Sequence, residues 1–350
     1  MLSRYTTTVR PAAYDIFNGD ADGICALHQL RLEQPRQTEL ITGVKRDIAL
    51  LRRVPCASTA ALTVLDVSLD ANATALRALL DGGASATYID HHSAQQAFTH
   101  PRLDLLWDEA PNVCTSILVD RMLGGRQRRW AVVGAYGDNM DASARSLGAG
   151  AGLSAEQLKA LEQLGRVLNY NAYGECVADL HLDPAALYRD ISQYSDPFEF
   201  VAGSPHYARL RDGYHYDCTR MGELEPYWQG MGGVIYLLPN QPWARRISGV
   251  LANRLASGAE RMSSCAVLTE NASGAFLVSV RSGDAVQHSA SDLCAQFGGG
   301  GRTGAGGINQ LPGAELERFI AAFCRHFAIQ TGARLRRTAQ TAAHTAAHTS

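Results

Sequence analysis

The sequence predicts an α/β protein, in which a parallel, doubly wound sheet is joined by a helical connector to a smaller α/β domain. Three observations predict this. Four short apolar runs in the first 140 residues each stop at an acidic or polar cluster. Segments of helical texture alternate with the first three runs, and strand–helix alternation implies a parallel sheet. Beyond residue 232 the pattern turns to strands again and leads into a glycine-rich stretch at 298–307.

The elements follow in order. Tyr14-Asp15-Ile16-Phe17 is a buried strand ending at Asn18-Gly19-Asp20-Ala21-Asp22-Gly23. Residues 22–32 form a helix with Ile24, Leu27, His28 and Leu30 on its apolar side. Residues 40–44 are a strand and 48–53 a short helix. Leu62-Thr63-Val64-Leu65 is a strand ending at Asp66, and residues 71–80 are a helix closed by the turn Asp81-Gly82-Gly83. Ala86-Thr87-Tyr88-Ile89 is a strand ending at Asp90-His91-His92. The run Ala131-Val132-Val133-Gly134-Ala135-Tyr136, ending at Asp138, is a buried helix. Short apolar runs bounded by polar loops are what strands buried on both faces look like. Ser154 caps a helix over 154–168 whose Leu158, Leu161, Leu164 and Leu168 make a core stripe. The aromatic, charged stretch 179–228 is mostly helical. Strands at 234–238, 265–269 and 275–280 and helices at 243–256 and 315–327 make the second domain. The Ala/Thr/His near-repeat at 338–350 has nothing to bury and is expected to be disordered.

Composition sets bounds on partners. The chain has 350 residues, 46% hydrophobic and 19% charged, with net charge −2. That is enough for two domains, and the balance argues against the basic footprint of a broad nucleic-acid surface. Long duplex DNA is therefore not expected as a partner. The eight cysteines include no Cys-x-x-Cys pair. Cys25 and Cys114 lie among apolar residues as small hydrophobes, so a reducing, cytoplasmic setting is expected. The polar first eleven residues give no secretory signal. No apolar run approaches the roughly 18 residues of a membrane span, so no membrane partner is expected.

The acidic clusters are the chemical signal. Ligands collect at the carboxyl ends of strands in open α/β sheets, so Asp20, Asp22, Asp66, Asp90, His91 and Asp138 converge on one rim. Converging carboxylates repel one another unless a cation neutralises them. Mixed oxygen and imidazole ligands suit manganese or another divalent first-row ion. Asp20 and Asp22 would face opposite ways on an extended chain; a turn at Gly23 into a helix lets each address a different ion. Taken singly, each aspartate also suits a helix cap or a turn. In the second half, the glycines around Arg302-Thr303 make a phosphate-binding loop whose backbone amides can approach an anion, and Arg302 adds a bidentate donor.

With these residues in this order, the chain resembles the DHH phosphoesterase superfamily, whose name is the triad seen here as Asp90-His91-His92. Val278-Ser279-Val280-Arg281-Ser282, followed by the stretch from Ser291 to Gly307, is similar to the glycine-rich signature of the DHH-associated domain. The resemblance covers about residues 14–327. It implies a catalytic metal-binding domain at 12–178, a helical connector at 179–230, a substrate-binding domain at 231–330 and a tail at 331–350. It implies two Mn2+ ions, with Co2+ or Mg2+ as substitutes. One ion would sit on Asp20 and Asp66 and the other on Asp22, Asp66, His91 and Asp138, with Asp90 in the metal shell or orienting its neighbours. Such ions lie about 3.5–4 Å apart and clamp an in-line displacement at phosphorus. His92 would face the substrate phosphate, so that His92, Asp90 and Asp66 are the catalytic residues. Arg281, Gly299, Gly300, Gly301 and Arg302 would bind substrate. Three positions depart from the family pattern. Ile16 replaces a histidine, Asn18 stands where exonuclease members carry an extra aspartate, and Arg302 replaces a histidine.

The activity implied is a manganese-dependent phosphodiesterase acting, with a metal-activated water, on short oligonucleotides, (cyclic) dinucleotides or nucleotide phosphoesters. The alternatives are a phosphoanhydride hydrolase acting on polyphosphate or pyrophosphate, and a catalytically weak nucleotide sensor. A homodimer is compatible with either. Of the neighbouring residues, Lys45-Arg46 is expected to be a solvated pair, Thr115 and Ser116 to open a helix, His28 to sit in the core, and Asp141 to cap or support.

Overall fold

A computed structural model describes residues 13–55, 60–257 and 263–329; the 338–350 repeat lies outside them. The chain forms two compact units, Met1–Tyr214 and His215–Ser350.

In the first unit the elements run β1 (Ala13–Phe17), α1 (Ala21–Glu33), β2 (Glu39–Ile41), a 3-10 turn (Leu50–Arg53), β3 (Ala61–Leu65), α2 (Leu69–Asp81), β4 (Ser85–Asp90) and β5 (Leu103–Trp107). Helices α3 (Thr115–Met122), α4 (Arg128–Gly137), α5 (Asp141–Gly150), α6 (Ala155–Asn171), α7 (Pro184–Ile191) and α8 (Pro197–Gly203) follow, and α9 (Pro205–Gly222) begins in this unit and ends in the next. The sheet is parallel throughout, in the order β2-β1-β3-β4-β5. The strand order reverses between β1 and β3, and in open α/β sheets ligands bind at the carboxyl ends of strands beside such a reversal.

Alternation along the strands explains why both faces are covered. Tyr14, Ile16, Leu62, Val64 and Tyr88 point to one side, where Leu69, Leu76, Leu79 and Leu80 of α2 pack on them. Phe17, Leu65 and Ile89 point to the other, into a core with Ile24 and Leu27 of α1, Ile117 of α3, Trp130 and Val133 of α4, and Leu161, Leu164 and Leu168 of α6. Strands buried on both faces read as continuous apolar runs, and β1, β3 and β4 were predicted on that signal. The expected helices are present with small shifts. Ser154 caps α6 in a reciprocal box: its Oγ accepts from Gln157 N at 3.2 Å, and Gln157 Oε1 accepts from Ser154 N at 2.9 Å. The expected strand at 40–44 is shorter, since only Glu39–Ile41 pair with β1. Strand β5 was not foreseen. It is the sheet edge, with Asp104 and Leu106 exposed, and an edge strand lacks the apolar run that marked its neighbours.

His28 is a core histidine as expected. Its Nε2 donates to Tyr194 O at 2.9 Å, and its ring meets Trp130 edge-on at 4.6 Å. Burial pushes its pKa down to about 4, against a smaller upward pull from the Tyr194 carbonyl. The unfolded chain therefore binds a proton first as pH falls. The stability held above pH ~6.5 should be lost progressively toward pH ~4, by about 3 kcal/mol. His28→Gln keeps the donor to Tyr194 without the titration. Chemical denaturation between pH 7 and 4 should show a flatter decline in that variant, and equal slopes would contradict the assignment.

The second unit contains β6 (Trp228–Gly230), β7 (Gly233–Leu238), α10 (Pro242–Ser257), β8 (Ser264–Glu270), β9 (Phe276–Ser282), α11 (Ala290–Ala295), β10 (Gly300–Arg302), β11 (Ala305–Leu311) and α12 (Leu316–His326). Its sheet runs β10-β11-β9-β8-β7-β6; only β7 and β8 are parallel, joined by α10. Ala266, Leu268, Val278, Val280 and Ile308 face α11 and α12, where Leu293, Phe319 and Phe323 complete a core. On the opposite face, Cys265 Sγ lies 3.5 Å from Ala252 O of α10. The glycine-rich stretch, expected as a loop, is largely a two-stranded ribbon: Arg302 pairs with Ala305 across a two-residue turn. Its glycines serve packing as well as exposure. A Cβ on Gly306 would stand 2.6 Å from Ala290 O and 2.7 Å from Cys294 Sγ, so α11 rests directly on the β11 backbone.

Candidate metal centre

The first unit brings Asp20, Asp22, Asp66, Asp90, His91, His92 and Asp138 to the carboxyl edge of its sheet. Asp20 follows β1 and caps α1: its Oδ1 accepts from Asp22 N and Gly23 N, both at 3.1 Å. Asp22, in the first turn of α1, receives the start of α3. Thr115 N and Ser116 N each donate to its carboxylate at 2.8 Å, and Ser116 Oγ donates to its carbonyl at 2.9 Å. A Cβ on Gly134 would stand 2.2 Å from Ser116 Oγ and 3.2 Å from Asp22 Oδ1, so only glycine lets α4 close this junction. Asp66 leaves β3 with φ of 58°, a left-handed conformation that aspartate tolerates better than most side chains. Its Oδ1 accepts from Thr115 Oγ1 at 3.3 Å.

His91 is the centre of the group. Its Nδ1 lies 2.8 Å from Val113 O. A carbonyl only accepts, so Nδ1 carries a proton and Nε2 is the ring nitrogen left to meet a cation. That Nε2 is 3.4 Å from Asp66 Oδ1, 3.7 Å from Asp138 Oδ2 and 3.9 Å from Asp22 Oδ2. Three buried carboxylates around one ring nitrogen need positive charge among them, supplied by a metal ion on Nε2 or by a proton on it. Asp22, His91 and Asp138 offer ligand atoms within 4.8 Å of one another, as do Asp66, His91 and His92. Asp138 Oδ2 and Asp90 Oδ2 are buried without a hydrogen-bond partner. Burial, then the charges of Asp20 and Asp22, push the Asp66 carboxyl well above its usual range. The residues present therefore fit a divalent cation at His91 Nε2.

His92 is held differently. Its Nδ1 is 2.7 Å from Asp90 Oδ1, and its backbone carbonyl accepts from Trp107 Nε1 at 2.7 Å. Burial lowers the His92 imidazolium, but the hydrogen bond and charge of Asp90 outweigh it and hold the pKa above the ordinary value. Lys45, read from the sequence as solvated, instead places its ammonium on Asp20 and lies 3.5 Å from Asp138 Oδ1. Burial pushes the Asp20 carboxyl up, and Lys45 more than reverses it. The available signal was position: Lys45 follows β2, which lies beside β1, on the same carboxyl edge. Asp141 opens α5 and pairs with Arg166 at 3.1 Å.

Arg281, Gly299, Gly300, Gly301 and Arg302 belong to the second unit. The register Arg281↔Ala305↔Arg302 puts both arginines on one face of that sheet. Gly300, Gly307 and Ser279 form the next row on the same face, and a Cβ on Gly300 would meet no heavy atom within 4 Å. Arg281 Nε donates to Asn253 Oδ1 of α10 at 3.0 Å.

No family model matches the sequence, and no curated protein matches it. Solved structures do. A manganese-bound exonuclease RecJ is 17% identical, with a TM-score of 0.54 over 90% of each chain. RecJ of Thermus thermophilus in complex with Mn2+ is 17% identical, with a TM-score of 0.55 over 90% of this chain and 52% of that one. The pGpG-specific phosphodiesterase PggH of Vibrio cholerae is 13% identical, with a TM-score of 0.53 over 90% of this chain and 99% of that one. These structures belong to the DHH superfamily. The chain has the fold of that superfamily, with the Asp90-His91-His92 triad at the carboxyl end of β4.

Proposed function

We propose that the chain is a metal-dependent phosphodiesterase acting on short oligonucleotides or dinucleotides, with manganese as its working ion. The observation that carries this is the meeting of His91 Nε2 with the carboxylates of Asp22, Asp66 and Asp138. Those four residues would hold the ion. When bound, it supplies Lewis acidity to a phosphoryl oxygen and a nucleophile from water at neutral pH.

The chain's own residues supply the rest. Asp90 fixes the His92 ring through Nδ1 and favours its protonated form, so Nε2 carries a proton to donate to a phosphoryl or leaving oxygen. Arg281 and Arg302 lie beside a row of glycine and serine on the same sheet face of the second unit and suit a phosphate group. Net charge of −2 favours a small substrate over long DNA, in keeping with the substrate named for PggH.

The test is hydrolysis of the linear dinucleotide pGpG by the full chain. Release of 5′-mononucleotide is expected with Mn2+, with loss of activity in EDTA and recovery on adding Mn2+ back. Cleavage of polyphosphate or pyrophosphate in place of the dinucleotide would sink the phosphodiester reading, as would turnover indifferent to EDTA.

A further inference from the structure

We infer that the Lys45 ammonium takes the place of one of the two divalent ions that the fold family implies, so that this chain holds a single metal, at His91. The inference rests on reading the centre as metal-binding, and it concerns the number of ions rather than turnover.

Asp20 is the residue expected to hold the other ion with Asp66, yet both its oxygens are engaged. Oδ1 caps α1 through Asp22 N and Gly23 N, and Oδ2 meets the Lys45 ammonium. Asp20 appears in neither group of convergent ligand atoms among the described residues. The two positions before it offer no replacement. Ile16 is fully buried among apolar side chains. Asn18 directs its amide to Lys45 O at 3.3 Å and its oxygen to Asp20 N at 3.3 Å.

Lys45 is built into this place. Its backbone N donates to Ala172 O at 2.9 Å, its carbonyl accepts from Asn18, and its ammonium also reaches Asn169 Oδ1 at 3.2 Å. Asp138 joins the two halves of the site: Oδ1 lies 3.5 Å from the Lys45 ammonium and Oδ2 faces His91. A dication beside Asp20 would meet a fixed positive charge in a weakly screened site and find few free ligands. One ammonium thus neutralises Asp20 and shares Asp138. With its side chain 26% exposed, it also remains within reach of an incoming phosphate as a point charge.

The experiment counts ions without using activity. Metal-stripped full-length protein is titrated with Mn2+ by calorimetry and equilibrium dialysis, and electron paramagnetic resonance reports whether bound ions are isolated or spin-coupled. One isolated ion per wild-type chain is expected. Lys45→Met keeps the stem, removes the charge and frees Asp20 Oδ2, so it should take a second ion and show a coupled spectrum. Lys45→Arg should stay at one. Two ions in the wild type, or one ion in Lys45→Met, overturns the inference, and the wild-type count decides alone if the methionine variant does not fold. A wild type that binds one ion yet cleaves no phosphodiester leaves this inference standing and removes the functional reading instead.

Discussion

Replacing Asp66 with asparagine is expected to remove activity and at the same time make the metal-free protein more stable. Asp66 is buried beside Asp20, Asp22 and Asp138, with His91 Nε2 at 3.4 Å. Asparagine has the same shape, tolerates the left-handed backbone at this position, and can still accept from Thr115 Oγ1. Alanine would add backbone strain and confuse the result. Turnover should fall by more than the roughly 10–100-fold lost when only a group supporting a metal ligand is removed. In EDTA the variant should gain about 1–2 kcal/mol, because a buried like charge is gone. The sign of the pH dependence follows from the raised carboxyl. As pH climbs above ~4 the unfolded chain gives up its Asp66 proton before the folded one does, so this residue erodes stability progressively. The melting-temperature gap between variant and wild type should widen from pH 5 to pH 8. A variant less stable than wild type in EDTA would show that Asp66 is a structural acceptor rather than a strained ligand.

Asp22→Ala should instead lose both activity and stability. Two buried backbone N–H groups, Thr115 and Ser116, end on its carboxylate at 2.8 Å, and they form the amino terminus of α3. Hydrogen bonds to a charged group are worth roughly 1.5–3 kcal/mol each, and the helix terminus adds up to about 1 kcal/mol. Relief of repulsion with Asp66 offsets about 1–2 kcal/mol. The bonds win, leaving a net loss of about 1–6 kcal/mol, or roughly 2–24 °C for a domain of this size. Thermal melts of both variants in EDTA provide the comparison. Opposite shifts are expected, and a shift in the same direction would contradict this division between ligand and anchor.

The amino-acid order alone specifies β1, β3, β4 and the residues that end them. Strands buried on both faces leave unbroken apolar runs, and the acids stand where those runs must stop. It also specifies α6 and its cap, because Ser154 and Gln157 form a local box. Which groups meet across long separations is set by the packed fold. Lys45 reaches Asp20 because β2 pairs with β1, and the α3 terminus reaches Asp22 from 93 residues away. The Asp90–His92 hydrogen bond depends on how the chain leaves β4. Strand β5 and the β10–β11 ribbon escaped for a related reason: an edge strand and a glycine-rich one are specified by their pairing partners rather than by their own pattern. Local periodicity records burial, whereas the partner of a buried charge is chosen by sheet order, and sheet order is a property of the whole chain.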